Sequence, residues 1–535
     1  RGLATRAARQ AFLQPDYMAV KHDPFLLPDM KKAVARLKQA REQGEKIVIY
    51  GDYDIDGLSA TALLLDAFGK FGFEDVDAFI PNRFVEGYGM TMGAVDKVRD
   101  MGADLIVTVD TGSLCHAEIA YATNLGIDTV VTDHHNVAET PPPSVAAVNP
   151  KFPGHTYPFR DLCGAGVAFK LVQALQTELD GLPDGYEKWL LDLVALGTVC
   201  DIVTLADENR ANVYWGLEVL KKQQRPGLKA LMAVAGIEPE QVNARHLGFG
   251  LGPRMNAAGR LETAQHALDM LVARDGLVAL EASEKLEELN GKRRIIQDAI
   301  FEEACVQAEQ LADDRVLVVS SDGWNHGVIG IVASKLVEKY KKPVFIIGER
   351  GEEATGSARS FGDFSAADAV RAADDIIIKG GGHGAAAGVT LETEKIGDFR
   401  RRVNEFYDSL QLTDQERYLL PRADVEIDDF SEIDEELVVN LAKMEPFGNG
   451  NPEPVLKIAR ASVLSMRRMG ADGQHVKLVL RDKNGKVLQM LAFNAPEEFF
   501  REPGDEVAAW FQPTINEWQG VRMVEGRLLH IILLD

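Results

Sequence analysis

Between residues 46 and 135, short apolar runs alternate with longer stretches of helical period. Residues 47–50, 105–109 and 129–132 are runs of four or five residues rich in Val, Ile and Thr, whereas residues 59–68 repeat apolar positions at helical spacing. The runs predict strands. Strands separated by helices predict a parallel, doubly wound sheet, in which ligands lie beyond the carboxyl ends of the strands. Ahead of them a helix is expected from Asp29 and Met30, with Val34 and Leu37 on its inner face, ending near Gly44. Residues 160–275 read as mostly helical. Residues 281–312 carry Leu286, Leu289, Ile296, Ile300, Ala304 and Leu311 on one face and predict a long connecting helix. Gly291 inside it costs about 1 kcal/mol relative to alanine and marks where a kink would fall. A second α/β unit follows, with strands at 316–319 and 344–347 and helices at 328–340 and 395–410. Beyond residue 421 the pattern changes to strands at 455–458, 476–480, 487–493, 507–511 and 528–534, separated by turns such as Lys483-Asn484-Gly485. That spacing predicts a small all-β barrel of the OB type. The fold class is therefore α/β with a C-terminal all-β barrel. The chain divides into a helical lead-in (1–45), a parallel-sheet region (46–275), a connecting helix (276–314), a second α/β unit (315–420) and an all-β barrel (421–535).

Charge at first argues against a polyanionic ligand. The 535 residues carry a formal net charge of −24, and the bulk-basic footprint of many nucleic-acid binders is missing. Phosphate binding depends on local field, however, so an acidic body with a basic or metal-lined groove remains physically sound. The four cysteines, Cys115, Cys163, Cys200 and Cys305, form no CxxC pair, which disfavours zinc fingers and disulfide frameworks and suits a reducing cytoplasm. No apolar run is long enough to span a bilayer and no signal-peptide pattern opens the chain, so no membrane association is expected. The chain starts on Arg1 rather than Met, which points to a trimmed N-terminus.

The candidate chemistry sits at the ends of the predicted strands. Asp52, Asp54 and Asp56 alternate directly after the first run. Three neighbouring carboxylates repel one another, and burial without partners costs several kcal/mol each; a divalent cation removes that penalty. An acidic turn or a helix cap explains this segment alone equally well. Asp110 at the tip of the second run, Asp133, His134, His135 and Asn136 at the tip of the third, and Asp201 at the end of an apolar helical stretch shift the balance. A parallel sheet would bring these ends together, and a two-metal site becomes the better reading. Carboxylates and imidazole without thiolate favour Mn²⁺ or Mg²⁺ over structural zinc.

The segments around Asp52–Asp56, Asp110, Asp133–Asn136 and Asp201 resemble, in order and spacing, the four motifs of the DHH phosphoesterase superfamily. The resemblance implies that Asp54 and Asp56 each hold one of two divalent cations and that Asp110 bridges them. It further implies that His134 and Asp201 complete the second set, and that Asp52 is an additional ligand of the first. His135 would face the substrate phosphate or stand behind the metal ligands, and Asp133 would orient a histidine, with Asn136 beside it. Asp54, Asp56, Asp110, His134, His135 and Asp201 are thus the expected catalytic residues. Some members carry a histidine ahead of the first aspartates; Tyr50 and Gly51 stand there in this chain. Phosphodiester hydrolysis without a covalent enzyme intermediate is the implied reaction.

Later segments bear on the substrate. Residues 380–388 are glycine-rich around His383. Alone they read as a tight turn with a core histidine, but they resemble the glycine-histidine motif of the DHH-associated C-terminal domain, which makes His383 an expected phosphate contact. Ser357 and Arg359 pair a hydroxyl with a guanidinium fork suited to phosphate. With Arg83, with Arg254, Asn256 and Arg260 in residues 252–260, and with residues 323–330 and 445–451, they resemble the branch of the superfamily that degrades single-stranded DNA. That resemblance implies processive 5′→3′ exonucleolysis releasing mononucleotides, in DNA repair and recombination. Ser357 and Arg359 would grip the 5′-terminal phosphate, while Arg83, Arg254 and Arg260 would touch the backbone near the metals. It also implies single-strand-binding protein and a RecQ-type helicase as partners. Arg467, Arg468 and Trp518 are barrel candidates for DNA contact, explained equally well by turns and core. Two other readings compete: a phosphodiesterase for cyclic dinucleotides or very short oligonucleotides, and a degenerate scaffold. The complete ligand set disfavours the scaffold.

Overall fold

A computed structural model of the chain describes residues 1–87, 89–412, 418–518 and 520–534, with the Trp518 side chain outside them. The apolar runs form a five-stranded, all-parallel sheet of order β2-β1-β3-β4-β5, built from β1 (Ile47–Gly51), β2 (Val76–Phe79), β3 (Leu105–Val109), β4 (Asp128–Thr132) and β5 (Ala146–Val148). Alternate residues of β1 feed two separate cores. Ile47 and Ile49 pack with the helices Ile55–Phe71 and Gly164–Glu178, and Val48 and Tyr50 with Met92–Asp100 and His116–Asn124. Coverage on both faces explains why the strands read as continuous apolar runs rather than alternating ones.

Register sets the site. Gly51 pairs with Val109 and Val109 with Thr132, so three strands end level. The ladder runs one residue further, with the amides of Asp52, Asp110 and Asp133 donating to the carbonyls of Val109, Thr132 and Val148 at 3.3, 3.1 and 3.1 Å. Three aspartates therefore leave the sheet side by side.

The connecting helix is Gly276–Gln310, a single helix that continues through Gly291. It packs against the helices Pro226–Val234, Gly252–Leu261 and Gln265–Val272 on one side and Ile329–Tyr340 on the other. The second sheet is mixed, with order β6-β7-β8-β10-β9. β6 (Leu317–Asp322) and β7 (Val344–Arg350) are parallel, and β8 (Glu353–Arg359), β9 (Ile377–His383) and β10 (Ala386–Glu392) extend the sheet antiparallel. The expected parallel pair is there, but three further strands, β8, β9 and β10, lie in segments not legible as strands.

In the C-terminal region β11 (Val425–Ile427) pairs with β12 (Leu456–Met469). A closed barrel follows from β12, β13 (His475–Arg481), β14 (Val487–Ala492), β15 (Glu506–Trp518) and β16 (Val521–Leu533), sealed by pairing of β12 with β15. β12, β15 and β16 run longer than their apolar cores suggested. Closure leaves the barrel strands no free edge.

Candidate metal centre

Each carboxylate reaches the centre by a different local device. Asp110 follows β3 in the left-handed region, at φ 61°, a conformation that aspartate tolerates better than most residues. Asp54 caps the helix Ile55–Phe71, its Oδ1 accepting from the amides of Asp56 (2.9 Å) and Gly57 (3.1 Å). Asp56, in the first turn of that helix, is anchored by the N-terminus of Gly164–Glu178, accepting from the amides of Gly164 (2.5 Å) and Ala165 (2.8 Å). Asp201 ends the helix Leu191–Cys200. Two glycines make room: a Cβ at Gly164 would lie 2.5 Å from the Asp110 Cβ, and one at Gly197 would lie 2.4 Å from Asp56 Oδ1. Because both Asp56 oxygens are held, Gly197→Ala must displace them. Hydrolysis is expected to fall by about 10²-fold, the scale of an ångström-sized misplacement, with circular dichroism unchanged; wild-type turnover would show that Asp56 need not sit where it does.

The ligand atoms form overlapping groups, each within 4.8 Å: Asp52, Asp54 and Asp110; Asp56, His134 and Asp201; and Asp110, His134 and His135. His134 Nε2 lies 3.1 Å from Asp110 Oδ1, 3.5 Å from Asp201 Oδ2 and 3.7 Å from Asp56 Oδ2. Asp110 belongs to both ends of the cluster, the geometry expected of a bridging ligand. Tyr50 turns away into the core and donates to the Gly89 carbonyl at 3.1 Å; the oxygens at this end come from Asp52 and Asp54.

Electrostatics favour the binding of positive charge. Both Asp110 oxygens and His134 Nε2 are buried without a hydrogen-bond partner, a costly arrangement unless something binds there. Burial, then the Asp54 charge, pushes Asp52 up to about 7 and Asp56 to about 6. Burial, then Asp56, pushes Asp201 up to about 7 and Asp110 well above the carboxylate range. His134 is pushed down by burial, leaving a neutral imidazole able to ligate. The sulfur of Cys163, next to this cluster, accepts from the Gly166 amide, so the open donors are oxygen and imidazole nitrogen. That set fits two hard or borderline divalent cations.

Asp133 and His135 behave differently. Burial alone would raise Asp133, but the hydrogen bond from His135 Nδ1 (2.9 Å) and the amides of His134, His135 and Ser113 hold it well below the usual carboxylate range. Burial opposes the charge on His135, yet Asp133 outweighs it and raises the imidazole to about 9. A protonated His135 at the rim can present N–H and charge to an anion. Asn136, expected beside Asp133, is exposed. Asn149 takes that place, with Nδ2 donating to Ser113 Oγ (2.8 Å) and to the His135 carbonyl (3.0 Å).

A row of guanidiniums continues from the cluster. Arg83 lies 4.4 Å over the Tyr53 ring, and its charge acts on Asp52. Arg260 donates to the Gly327 carbonyl (2.8 Å) and is pushed down to about 10 by burial and then by the charges of Arg83, Arg293 and Arg359. Arg359 donates to Ser357 Oγ (3.3 Å) and to its neighbour's carbonyl (2.8 Å). Among the described residues none of these four forms a salt bridge. Arg254 differs, pairing with Glu287 of the connecting helix at 2.5 Å, so its charge is spent within the protein. His383 is exposed at the end of β9, and no contact among the described residues joins it to the cluster. Its glycines serve packing first: a Cβ at Gly380 would meet Val370 at 2.4 Å, and Gly382 (φ 146°) faces the Ala386 carbonyl at 2.4 Å.

Asn256, Arg260 and Arg293 line a cavity of about 700 Å³ shared with Arg245 and Phe249. Phe249 is 78% exposed, with the Arg245 guanidinium 5.6 Å from its ring. Sequence reasoning missed Arg245, Phe249 and Arg293. Arg293 left a usable signal, a charge on the face defined by Leu286, Leu289 and Ile300, and it is buried there, donating to Gln297 Oε1 and Asn290 Oδ1 (2.6 Å each).

Aligned strand tips carrying Asp52, Asp54, Asp56, Asp110 and His134, with Asp201 from a helix end and a long helix leading to a mixed-sheet unit, define a phosphoesterase of the DHH type. The model of the DHH family, N-terminal domain, matches residues 46–198, that of the DHHA1 domain residues 313–409, and that of the RecJ OB domain residues 423–530. The chain is 39% identical over 524 residues to the single-stranded-DNA-specific exonuclease RecJ of Bacillus subtilis, covering 97% of this chain and 65% of that protein, just under two thirds of its length. It is 34% identical to RecJ of Salmonella typhimurium, covering 95% of this chain and 90% of the relative. The chain belongs to the RecJ family. The solved structure of RecJ with Mn²⁺ from Thermus thermophilus superposes with a TM-score of 0.83 at 30% identity, over 98% of this chain and 74% of that one, and a Mg²⁺ complex of the same protein is also similar (TM-score 0.76).

Proposed function

We propose that the chain is a metal-dependent 5′→3′ exonuclease that hydrolyses phosphodiester bonds of single-stranded DNA and releases mononucleotides, in DNA repair and recombination. The observation that carries this reading is the adjacency of two ligand groups sharing Asp110 to a row of guanidiniums that have no carboxylate partner among the described residues. Asp52, Asp54 and Asp110 would hold one divalent cation, and Asp56, His134, Asp201 and Asp110 the other. Mn²⁺ or Mg²⁺ bound there supplies the charge that lowers the pKa of water and stabilises both oxygens of an in-line displacement. His135, kept protonated by Asp133, faces the scissile phosphate. Arg83 and Arg260 hold the backbone beside it, and Ser357 and Arg359 receive the terminal 5′ phosphate.

Residues 46–275 act as the catalytic domain, 315–420 as the substrate-binding domain and 421–535 as the strand-guiding barrel. Single-strand-binding protein and a RecQ-type helicase are the expected partners. No described helix is long and apolar enough to cross a membrane, and all four cysteines are free, which supports placement in the reducing cytoplasm.

Strands labelled at either end, incubated with Mn²⁺, Mg²⁺ or chelator, test the function. The 5′ label is expected to appear at once as mononucleotide, and only with metal. Preferential cleavage of a dinucleotide over a long strand would favour the short-substrate phosphodiesterase instead. Arg359→Ala is expected to cost about 10²-fold on a 5′-phosphorylated strand, the usual scale for a lost charged donor, and much less on a 5′-hydroxyl strand. Equal losses on both would remove Arg359 from the phosphate pocket.

A further inference from the structure

Residues 445–451 precede the barrel, yet they pack on the catalytic unit. Asn449 Nδ2 donates to the Ile202 carbonyl and the Asn449 carbonyl accepts from the Leu205 amide, both at 2.8 Å. The approach is close: a Cβ at Gly448 would lie 2.7 Å from Leu205 Cδ1, and one at Gly450 would lie 2.6 Å from Thr204 Cγ2. Arg210 secures the start of the segment, donating to the carbonyls of Glu445 (2.7 Å) and Pro446 (3.3 Å).

The contact falls on a strained point. Ile202 has φ 58°, a region that a β-branched residue adopts only when its surroundings impose it. Burial does not impose it, because Ile202 is 69% exposed. The residue before it is Asp201. The carboxylates of Asp52, Asp54, Asp56 and Asp133 are each fixed by backbone amides. Among the described residues the Asp201 carboxylate has no such anchor, and its side chain is 25% exposed. Its direction depends on the backbone that carries it: the amides of Asp201 and Ile202 close the helix on the carbonyls of Gly197 (2.9 Å) and Val199 (3.3 Å), and on the far side the Ile202 carbonyl is held by Asn449.

We propose that Asn449 is a positioning residue for the Asp56–His134–Asp201 group: by holding Ile202 in the left-handed conformation it aims the Asp201 carboxylate, so that docking of the barrel linker sets the affinity of one of the two cations. This rests on the two-cation reading above. It makes the barrel a determinant of the metal centre as well as a guide for the strand.

Calorimetric titration of the metal-free full chain with Mn²⁺ tests it. The wild type is expected to bind two ions. Asn449→Ala and Asn449→Asp both remove the donor and keep the backbone contact to Leu205. Each is expected to weaken one binding event about tenfold, the scale of one net hydrogen bond, and to leave the other unchanged. Half-saturating Mn²⁺ for hydrolysis should rise by the same factor, with the rate at saturating Mn²⁺ within about twofold of wild type. In an Ile202→Gly background, where the left-handed conformation is unstrained, losing Asn449 should change that affinity less than about twofold. Unchanged affinities in both variants would overturn the inference, as would equal weakening of both events with a lowered melting temperature in chelator. If the wild type bound no Mn²⁺, the two-cation reading itself would fall, an outcome distinct from the other two.

Discussion

Asp110→Asn is expected to lower hydrolysis by at least about 10³-fold and to raise the melting temperature of the chelated protein. The two effects have one cause. Asp110 is 1% exposed, neither of its oxygens has a hydrogen-bond partner, and burial together with the charges of Asp56, Asp54, Asp52 and Asp133 raises its pKa far above the carboxylate range. Without a cation this group must either take up a proton or stand as an uncompensated charge inside the protein, and a neutral amide of the same shape removes that cost. With cations present the same carboxylate joins the Asp52–Asp54–Asp110 group to His134 of the other, 3.1 Å away. Its loss removes several kcal/mol of charge stabilisation, about tenfold in rate for each 1.4 kcal/mol. Asp110→Ala should be equally inactive. Scanning calorimetry with chelator and with Mn²⁺ should show the order of stability invert, the variant melting higher without metal and the wild type higher with it. An active Asp110→Asn enzyme would leave the bridging role without support.

The strands that deliver this chemistry were legible because burial on both faces leaves an unmistakable pattern. β1, β3 and β4 are short runs rich in Val, Ile and Thr, buried almost throughout, and each is followed by acidic or histidine residues. Their common level was not legible, since it comes from the pairing of Gly51 with Val109 and Val109 with Thr132, which pattern alone does not fix. β2 and β5, of four and three residues, are too short to carry a period. β8, β9 and β10 escaped for another reason: small residues, glycines and charges fill much of them, and mutual hydrogen bonding rather than a long apolar run makes them strands. Within the site, motif order identified the aspartates and His134, which the structure brings together. Partnerships between distant residues stayed hidden. Nothing in residues 252–260 tells that Arg254 is taken by Glu287 while Arg260 keeps its charge for a ligand. Asn149 and Asn136 are equally plausible near Asp133 until the turn after β5 places one and exposes the other.

Removing divalent cations is expected to abolish hydrolysis and to leave a protein whose stability falls as pH rises from about 5 to 8. In the metal-free fold, Asp52 and Asp201 titrate near 7 and Asp56 near 6, with Asp110 raised further, whereas in the unfolded chain aspartate titrates near ~4. Over that window the folded state holds more protons than the unfolded state. Stability is therefore fully present below the unfolded value and is lost as pH rises through the folded values. His135, raised to about 9, adds to the loss at the alkaline end. His134, lowered by burial, works the other way near its ordinary value, but it is one group against four. Asp133 is held low, so its contribution disappears only in acid below the window. Mn²⁺ reverses the slope, because it binds the deprotonated carboxylates and stabilises the fold in proportion to the logarithm of ligand over dissociation constant. The gain in melting temperature on adding Mn²⁺ should therefore be larger at pH 8 than at pH 5.5, and metal uptake in weakly buffered solution near pH 6.5 should release protons. A chelated protein more stable at pH 8 than at pH 5.5, with no proton release on titration, would mean that these aspartates are not the charges that the cations neutralise.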